Sequence, residues 1–172
     1  MTLLIRQPHA SPSEREAILA VHRAAFGRED EARLVAQLHA AGRNTAEWLA
    51  EQDGEVIAHL LFSPIRIEHG DDGKSLGLAP MAVVPAWQRR GVGTQLIHAA
   101  LQTLRSTAFR SIVVLGDPGY YGRFGFVPAS KHGLHDIYRG GDAFMVLPLH
   151  DTTLKSYRGQ VDYAPEFANL TD

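Results

Sequence analysis

The stretch Gln88-Arg89-Arg90-Gly91-Val92-Gly93-Thr94 constrains this chain more than any other. It lies between an apolar, strand-like segment at 76–84 and a segment at 90–106 in which Val92, Leu96, Ile97, Ala100, Leu101 and Leu104 recur at helical spacing. A strand that passes through glycines into an amphipathic helix is one part of a mixed α/β order of elements. Gly91 and Gly93 remove side chains where backbone would approach a ligand. The first turn of a helix has N–H groups with no partner inside the helix and a partial positive charge, so a pyrophosphate can sit there. Arg89 and Arg90 add charge. Two nucleotide fingerprints fail: the dinucleotide pattern needs a third glycine where Leu96 stands, and no Gly-Lys-Ser/Thr is present. What is left, Gln-x-x-Gly-x-Gly, fits an anion site, and a ligand-free helix start explains the same residues.

The remaining pattern is mixed. Residues 3–7 suit a short strand. Ser11-Pro12-Ser13-Glu14 starts a helix, with Ser11 as cap and Glu14 reaching back to close a capping box; Ile18, Val21, His22, Ala25 and Phe26 form one face and Gly27 ends it. A second helix from about Glu29 carries Leu34, Val35, Leu38 and Ala41 and stops at Gly42. Strands are expected at 48–52 and 55–67 around an Asp53-Gly54 hairpin turn. Residues 69–75 read as a loop, and Pro80 predicts local splaying of the 76–84 strand, since proline donates no ladder hydrogen bond. A short strand at 111–115, one or two helical turns at 120–125 and a strand at 143–149 follow. Leu154, Val161, Tyr163 and Phe167 are expected to pin the segment at about 150–172 to the body. The whole, 1–172, reads as a single α/β domain with a mixed sheet.

Composition narrows the chemistry. There is no cysteine, which excludes disulfides, cysteine-ligated zinc and a cysteine acyl-enzyme. Nine histidines include no His-x-x-x-His, and His132 and His135 flank Gly133 in an expected loop, so no metal is expected. A formal net charge of −2 without a basic run gives no reason to expect nucleic acid. No apolar run approaches the ~20 residues of a membrane span, and no signal segment opens the chain, so a cytoplasmic protein without membrane partners is expected.

Two longer motifs then carry a resemblance. Leu78-Ala79-Pro80-Met81-Ala82-Val83-Val84-Pro85 with Trp87-Gln88-Arg89-Arg90-Gly91-Val92-Gly93 resembles the core acetyl-CoA motif of the GNAT superfamily of N-acetyltransferases. Val114-Leu115-Gly116-Asp117-Pro118-Gly119-Tyr120-Tyr121-Gly122-Arg123-Phe124-Gly125-Phe126 resembles its second cofactor motif. Ala58-His59-Leu60-Leu61-Phe62-Ser63-Pro64 and the run from Gly159 to Phe167 resemble the YhbS-like branch. The resemblance implies an acyl-CoA N-acyltransferase fold with splayed central strands. It also implies pantetheine pairing with backbone at Ala82 and Val83, and pyrophosphate on the N–H groups of Arg89, Arg90, Gly91, Val92, Gly93 and Thr94. Tyr121 and Phe124 would stand beside the cofactor. Dimers are common in the superfamily, which leaves a homodimer open.

The implied reaction is direct attack of an amine, from a small molecule or a protein, on the thioester of acetyl-CoA in a ternary complex. Tyr121 matches the general acid of Tyr-x-x-Phe-Gly-Phe, and its alternative role is packing against the cofactor. His59 is a candidate base or a satisfied core histidine. Asp117 orients substrate, accepts a proton through water, or caps the short helix. A non-catalytic acyl-CoA-binding or sensing domain would keep the loop and need neither Tyr121 nor an amine pocket. A purely structural α/β domain would use the glycines only for packing. The acceptor region is expected at 26–45 and 130–142, with Arg28, Glu29, Asp30, Glu31, His135, Asp136 and Arg139, a mixed-charge set that names no substrate.

Overall fold

In the computed structural model, residues 2–150 and 154–170 are described. The chain divides into two compact units, one of Met1–Phe62, Ala79–Gln102 and Pro165–Asp172, the other of Ser63–Leu78 and Thr103–Ala164.

The first unit contains β1 (Leu3–Arg6), α1 (Pro12–Phe26), α2 (Asp30–Ala40), β2 (Ala46–Gln52), most of β3 (Glu55–Pro64), the end of β5 (Ser75–Val83) and α3 (Val92–Leu104) up to Gln102. β1, β2 and β3 form an antiparallel meander. Asp53 and Gly54 turn the β2–β3 hairpin with φ of 53° and 81°, the two positive values that a tight two-residue hairpin needs. Ser11 caps α1 by accepting the Glu14 N–H at 3.2 Å. The expected capping box is not closed: the Glu14 carboxylate accepts from the His9 N–H and pairs with Arg6 at 2.6 Å. An Arg within reach offers a charge-assisted bond that the Ser11 N–H cannot match. Phe26, assigned from spacing to the buried face, is 42% exposed, because it is the last residue of the helix.

The second unit contains β4 (Arg66–His69), the start of β5, β6 (Ser111–Leu115), α4 (Pro118–Tyr121), β7 (Val127–Pro128), β8 (Leu134–Asp136), β9 (Phe144–Pro148) and β10 (Arg158–Asp162). β6 runs parallel to β5 and antiparallel to β9, so the sheet is mixed. The β5–β6 ladder pairs Ser75–Gly77 with Ser111–Val113 and stops there, ahead of Pro80. A second sheet has the order β4-β10-β8. Ile67, Val113, Phe144, Val146, Tyr157 and Val161 are buried together beneath these strands.

Three further expectations change. The strand expected at 55–67 breaks after Pro64, and its continuation, β4, pairs with β10 instead. The ring fixes φ and removes a donor at the break. Within 130–142, Leu134–Asp136 forms β8, parallel to β10. Arg158–Asp162, in the tail segment, is the middle strand of the second sheet. Leu154, Val161 and Phe167 are buried; Asp151, Thr152, Thr153, Thr171 and Asp172 lie outside the described residues. Among the described residues no helix is long and apolar enough to cross a membrane.

Candidate functional site

The loop before α3 is built locally. After β5 the chain makes a 3-10 turn at Pro85–Trp87, held by the Trp87 N–H donating to the Val84 carbonyl at 2.9 Å. The Gln88 side-chain amide donates back to the Val83 carbonyl at 2.9 Å, and the Val84 N–H donates to Ile57 of β3 at 2.9 Å. These bonds fix both ends of the strand-to-loop passage. Arg89 and Gly91 then take φ of 63° and 80°. A side chain added at Gly91 would meet nothing within 4 Å, so sterics do not explain the glycine; its backbone conformation does. Arg89 and Arg90 are exposed, and the Arg90 guanidinium lies 4.9 Å from the Trp87 ring centre. Val92, Leu96 and Ile97 are buried, which anchors the first turn of α3 and leaves Gly91 and both arginines on the surface. The arrangement offers a helix N-terminus, two cations and an open backbone to an anion. Ala82 is buried and Val83 half-buried on the strand that leads into it.

The second motif is equally local and lies in the second unit. After β6, Gly116 donates its N–H to the Ala143 carbonyl at 2.9 Å. Asp117 caps α4, its Oδ1 accepting the Gly119 N–H at 3.0 Å. The Tyr121 ring lies directly on Gly116, where any Cβ would overlap it. Edge-to-face contacts with Tyr120 at 5.1 Å and Phe126 at 5.7 Å complete its setting. Burial first, and then the neighbouring Tyr120, push the Tyr121 hydroxyl up to about 12. It therefore keeps its proton throughout the physiological range and is a donor rather than a base. Phe124 is buried in the following turn, with its ring 5.4 Å from Tyr120.

His59 belongs to a cluster that spacing did not reveal. In the first unit, His22 of α1, His39 of α2, Glu47 of β2 and His59 of β3 form one hydrogen-bonded chain. His39 Nε2 lies 2.5 Å and His59 Nε2 3.1 Å from Glu47 Oε1. His59 Nδ1 lies 2.9 Å from His22 Nε2. Burial raises the Glu47 carboxyl, but the bonds from His39 and His59 outweigh it and hold the group at about 2. An ionised carboxylate only accepts, so His59 donates through Nε2 and, being neutral, accepts through Nδ1 from His22. Burial, reinforced by His59, drives His22 down to about 3, and burial lowers His59 as well. Polar residues on apolar faces were the only available signal: His22 appeared on the buried face of α1, while Glu47 fell just outside the expected strand.

The expected acceptor residues divide. Arg28 is paired with Glu31 at 2.6 Å and Arg23 with Glu29 at 2.9 Å, so the acids after α1 are matched by arginines around them. In the second unit His135, Asp136 and Arg139 line a pocket of about 320 Å³ with Leu134 and Phe144.

Comparison with known proteins agrees with these motifs. Residues 14–126 match the acetyltransferase (GNAT) family. The chain is 35% identical over 158 residues to the uncharacterized N-acetyltransferase YhbS of Escherichia coli K12, covering 91% of this chain and 94% of the relative. A crystal structure of the E. coli YhbS protein in complex with CoA superposes with a TM-score of 0.89 at 35% identity, covering 96% of this chain and 92% of that one. A GNAT acetyltransferase from Brucella melitensis in complex with acetyl-CoA gives 0.79 at 33% identity, with 96% and 98% covered. By the extent and identity of these matches, the chain belongs to the acetyltransferase (GNAT) family.

Proposed function

We propose that this protein transfers the acetyl group of acetyl-CoA to an amine by direct attack in a ternary complex. The observation that carries the reading is the exposed loop before α3, where Gly91 at φ 80°, a helix N-terminus and two arginines together suit a pyrophosphate. The solved relatives with bound CoA and acetyl-CoA support the same ligand. In this reading Arg89, Arg90, Gly91, Val92, Gly93 and Thr94 hold the pyrophosphate, backbone at Ala82 and Val83 pairs with the pantetheine arm, and Phe124 packs beside the cofactor.

The amine nitrogen attacks the thioester carbonyl carbon, the C–S bond breaks and an amide forms. One proton leaves the amine and one reaches the departing thiolate, giving CoA–SH. A backbone N–H near Val83 stabilises the oxyanion. Tyr121, which holds its proton, supplies the thiolate. Asp117, exposed at the cap of α4, takes the amine's proton through water. His59, fully buried and with both ring nitrogens already bonded, is in this reading the core histidine of its cluster and not the base. The acceptor is a small-molecule or protein amine.

Isothermal titration with acetyl-CoA, followed by thiol release across an amine panel, tests the proposal. No binding of any acyl-CoA sinks it. Binding without thiol release for any amine makes the chain a non-catalytic acyl-CoA sensor instead.

A further inference from the structure

Residues between β7 and β9, together with Phe144 of β9, line an open pocket. Its volume of about 320 Å³ is at the small end of ligand sites. Leu134 and Phe144 give it apolar walls and are themselves 2% and 1% exposed. His135 and Arg139 are exposed where they border it, while Asp136 is buried. The Asp136 Oδ1 accepts the Gly140 N–H at 2.9 Å; its Oδ2 is buried and has no hydrogen-bond partner. A buried carboxylate oxygen without a donor is costly and uncommon in native proteins, and a bound donor is one of the few remedies.

The backbone around Asp136 is tightly specified. Arg139 takes φ 54°, and a Cβ at Gly140 would overlap Leu115 Cδ1 and lie 3.3 Å from Asp136 Oδ2. The missing side chain at Gly140 leaves room for Leu115 and for the Asp136 carboxylate. Ile137 and Tyr138 are turned outward, 56% and 50% exposed, adding apolar surface beside the site. The charge is felt nearby: the Tyr163 hydroxyl is raised first by burial and then by Asp136.

We propose that this pocket binds a small monocationic amine with an aromatic or aliphatic body, its ammonium paired with Asp136 and its body against Leu134 and Phe144. Arg139 disfavours a second positive charge, which selects monoamines over polyamines. This amine is the acetyl acceptor, a clause that rests on the transfer reading above; the binding claim stands apart from it.

The test uses the full-length ¹⁵N-labelled protein, with and without CoA. Its probes are tyramine, tyrosol (the same body with a hydroxyl for the amine) and spermidine. Tyramine is expected to shift the amides of Asp136, Gly140 and Phe144 and to bind about tenfold more tightly than tyrosol, the scale of one charge-assisted contact. Spermidine is expected to bind more weakly than tyramine. D136N, which keeps an acceptor for Gly140, should erase the difference between tyramine and tyrosol. Equal binding of that pair to the wild type, spermidine binding as tightly as tyramine, shifts confined to other regions, or no shift with any probe overturns the proposal even if D136N does not fold. Failure to bind acetyl-CoA in the calorimeter, with tyramine still bound, removes only the transfer reading; acetyl-CoA binding without tyramine binding removes only this one.

Discussion

The loop before α3 and the His22–His39–Glu47–His59 cluster belong to the same unit and are built in opposite ways. The loop uses seven consecutive residues, exposes Gln88 to Gly91 at the surface and makes bonds to neighbours in sequence, such as Gln88 to Val83. The cluster takes one residue from each of four elements and is buried, with His22 and His59 both at 0% exposure. A site meant for an external anion can leave backbone unpaired and wait. A polar group in the core loses its water, so most of its donors and acceptors must find partners inside: His59 is bonded at both ring nitrogens, and only the Nδ1 of His22 is left over within the cluster. The loop is therefore specified by composition, and the cluster by the geometry of the whole unit.

That contrast can be broken by experiment. The largest effect is expected from Glu47→Ala, which leaves two buried imidazoles without their acceptor. Chemical denaturation should show a loss of about 2–4 kcal/mol, the scale of two buried donors left unpaired, and a loss below about 1 kcal/mol would mean that the cluster does not hold the unit together. Gly91→Glu should cost about 1–2 kcal/mol of stability for the left-handed backbone at φ 80° while weakening acetyl-CoA binding by about 100-fold or more, since it places a carboxylate where charge-assisted bonds would form. If calorimetry finds affinity unchanged, the anion site lies elsewhere. Tyr121→Phe should slow thiol release about 100-fold with acetyl-CoA affinity preserved, and equal turnover removes Tyr121 as the acid. The smallest effect is acid sensitivity. The unfolded chain protonates His22 below its ordinary 6.5, whereas the folded chain refuses the proton down to about 3. Stability therefore falls as pH drops through that window, by about 2 kcal/mol from His22 alone between pH 7 and 5. Glu47, held at about 2, adds a loss in the same direction only below its ordinary 4.5. His22→Leu should flatten the melting temperature across pH 7 to 5; an unchanged slope would assign it to other groups.

Legibility in the sequence follows the same division. The helix periodicity of α1, α2 and α3, the Asp53-Gly54 turn and the Ser11 cap are local signals, and each appears where it was expected. Tyr121 and its neighbours were readable because the motif that holds them is contiguous. The β4–β10–β8 sheet was not, because its strands come from three distant segments and Val161 meets Ile67 and Asp136 only after folding. The Glu14 carboxylate went to Arg6 because a partner eight residues away offered charge. Asp136 appeared only as one of several charged residues in an expected loop; its burial and its orphaned oxygen arise only once the chain is folded.

The fit of the Tyr121 ring onto Gly116 carries a consequence for how the protein can evolve. The two positions share one volume, so they cannot vary independently. A mutation at Gly116, which carries no side chain to act on anything, would surface in a screen as loss of the tyrosine's function. Among descendants of this chain, a side chain at 116 is expected only where the ring at 121 has been given up.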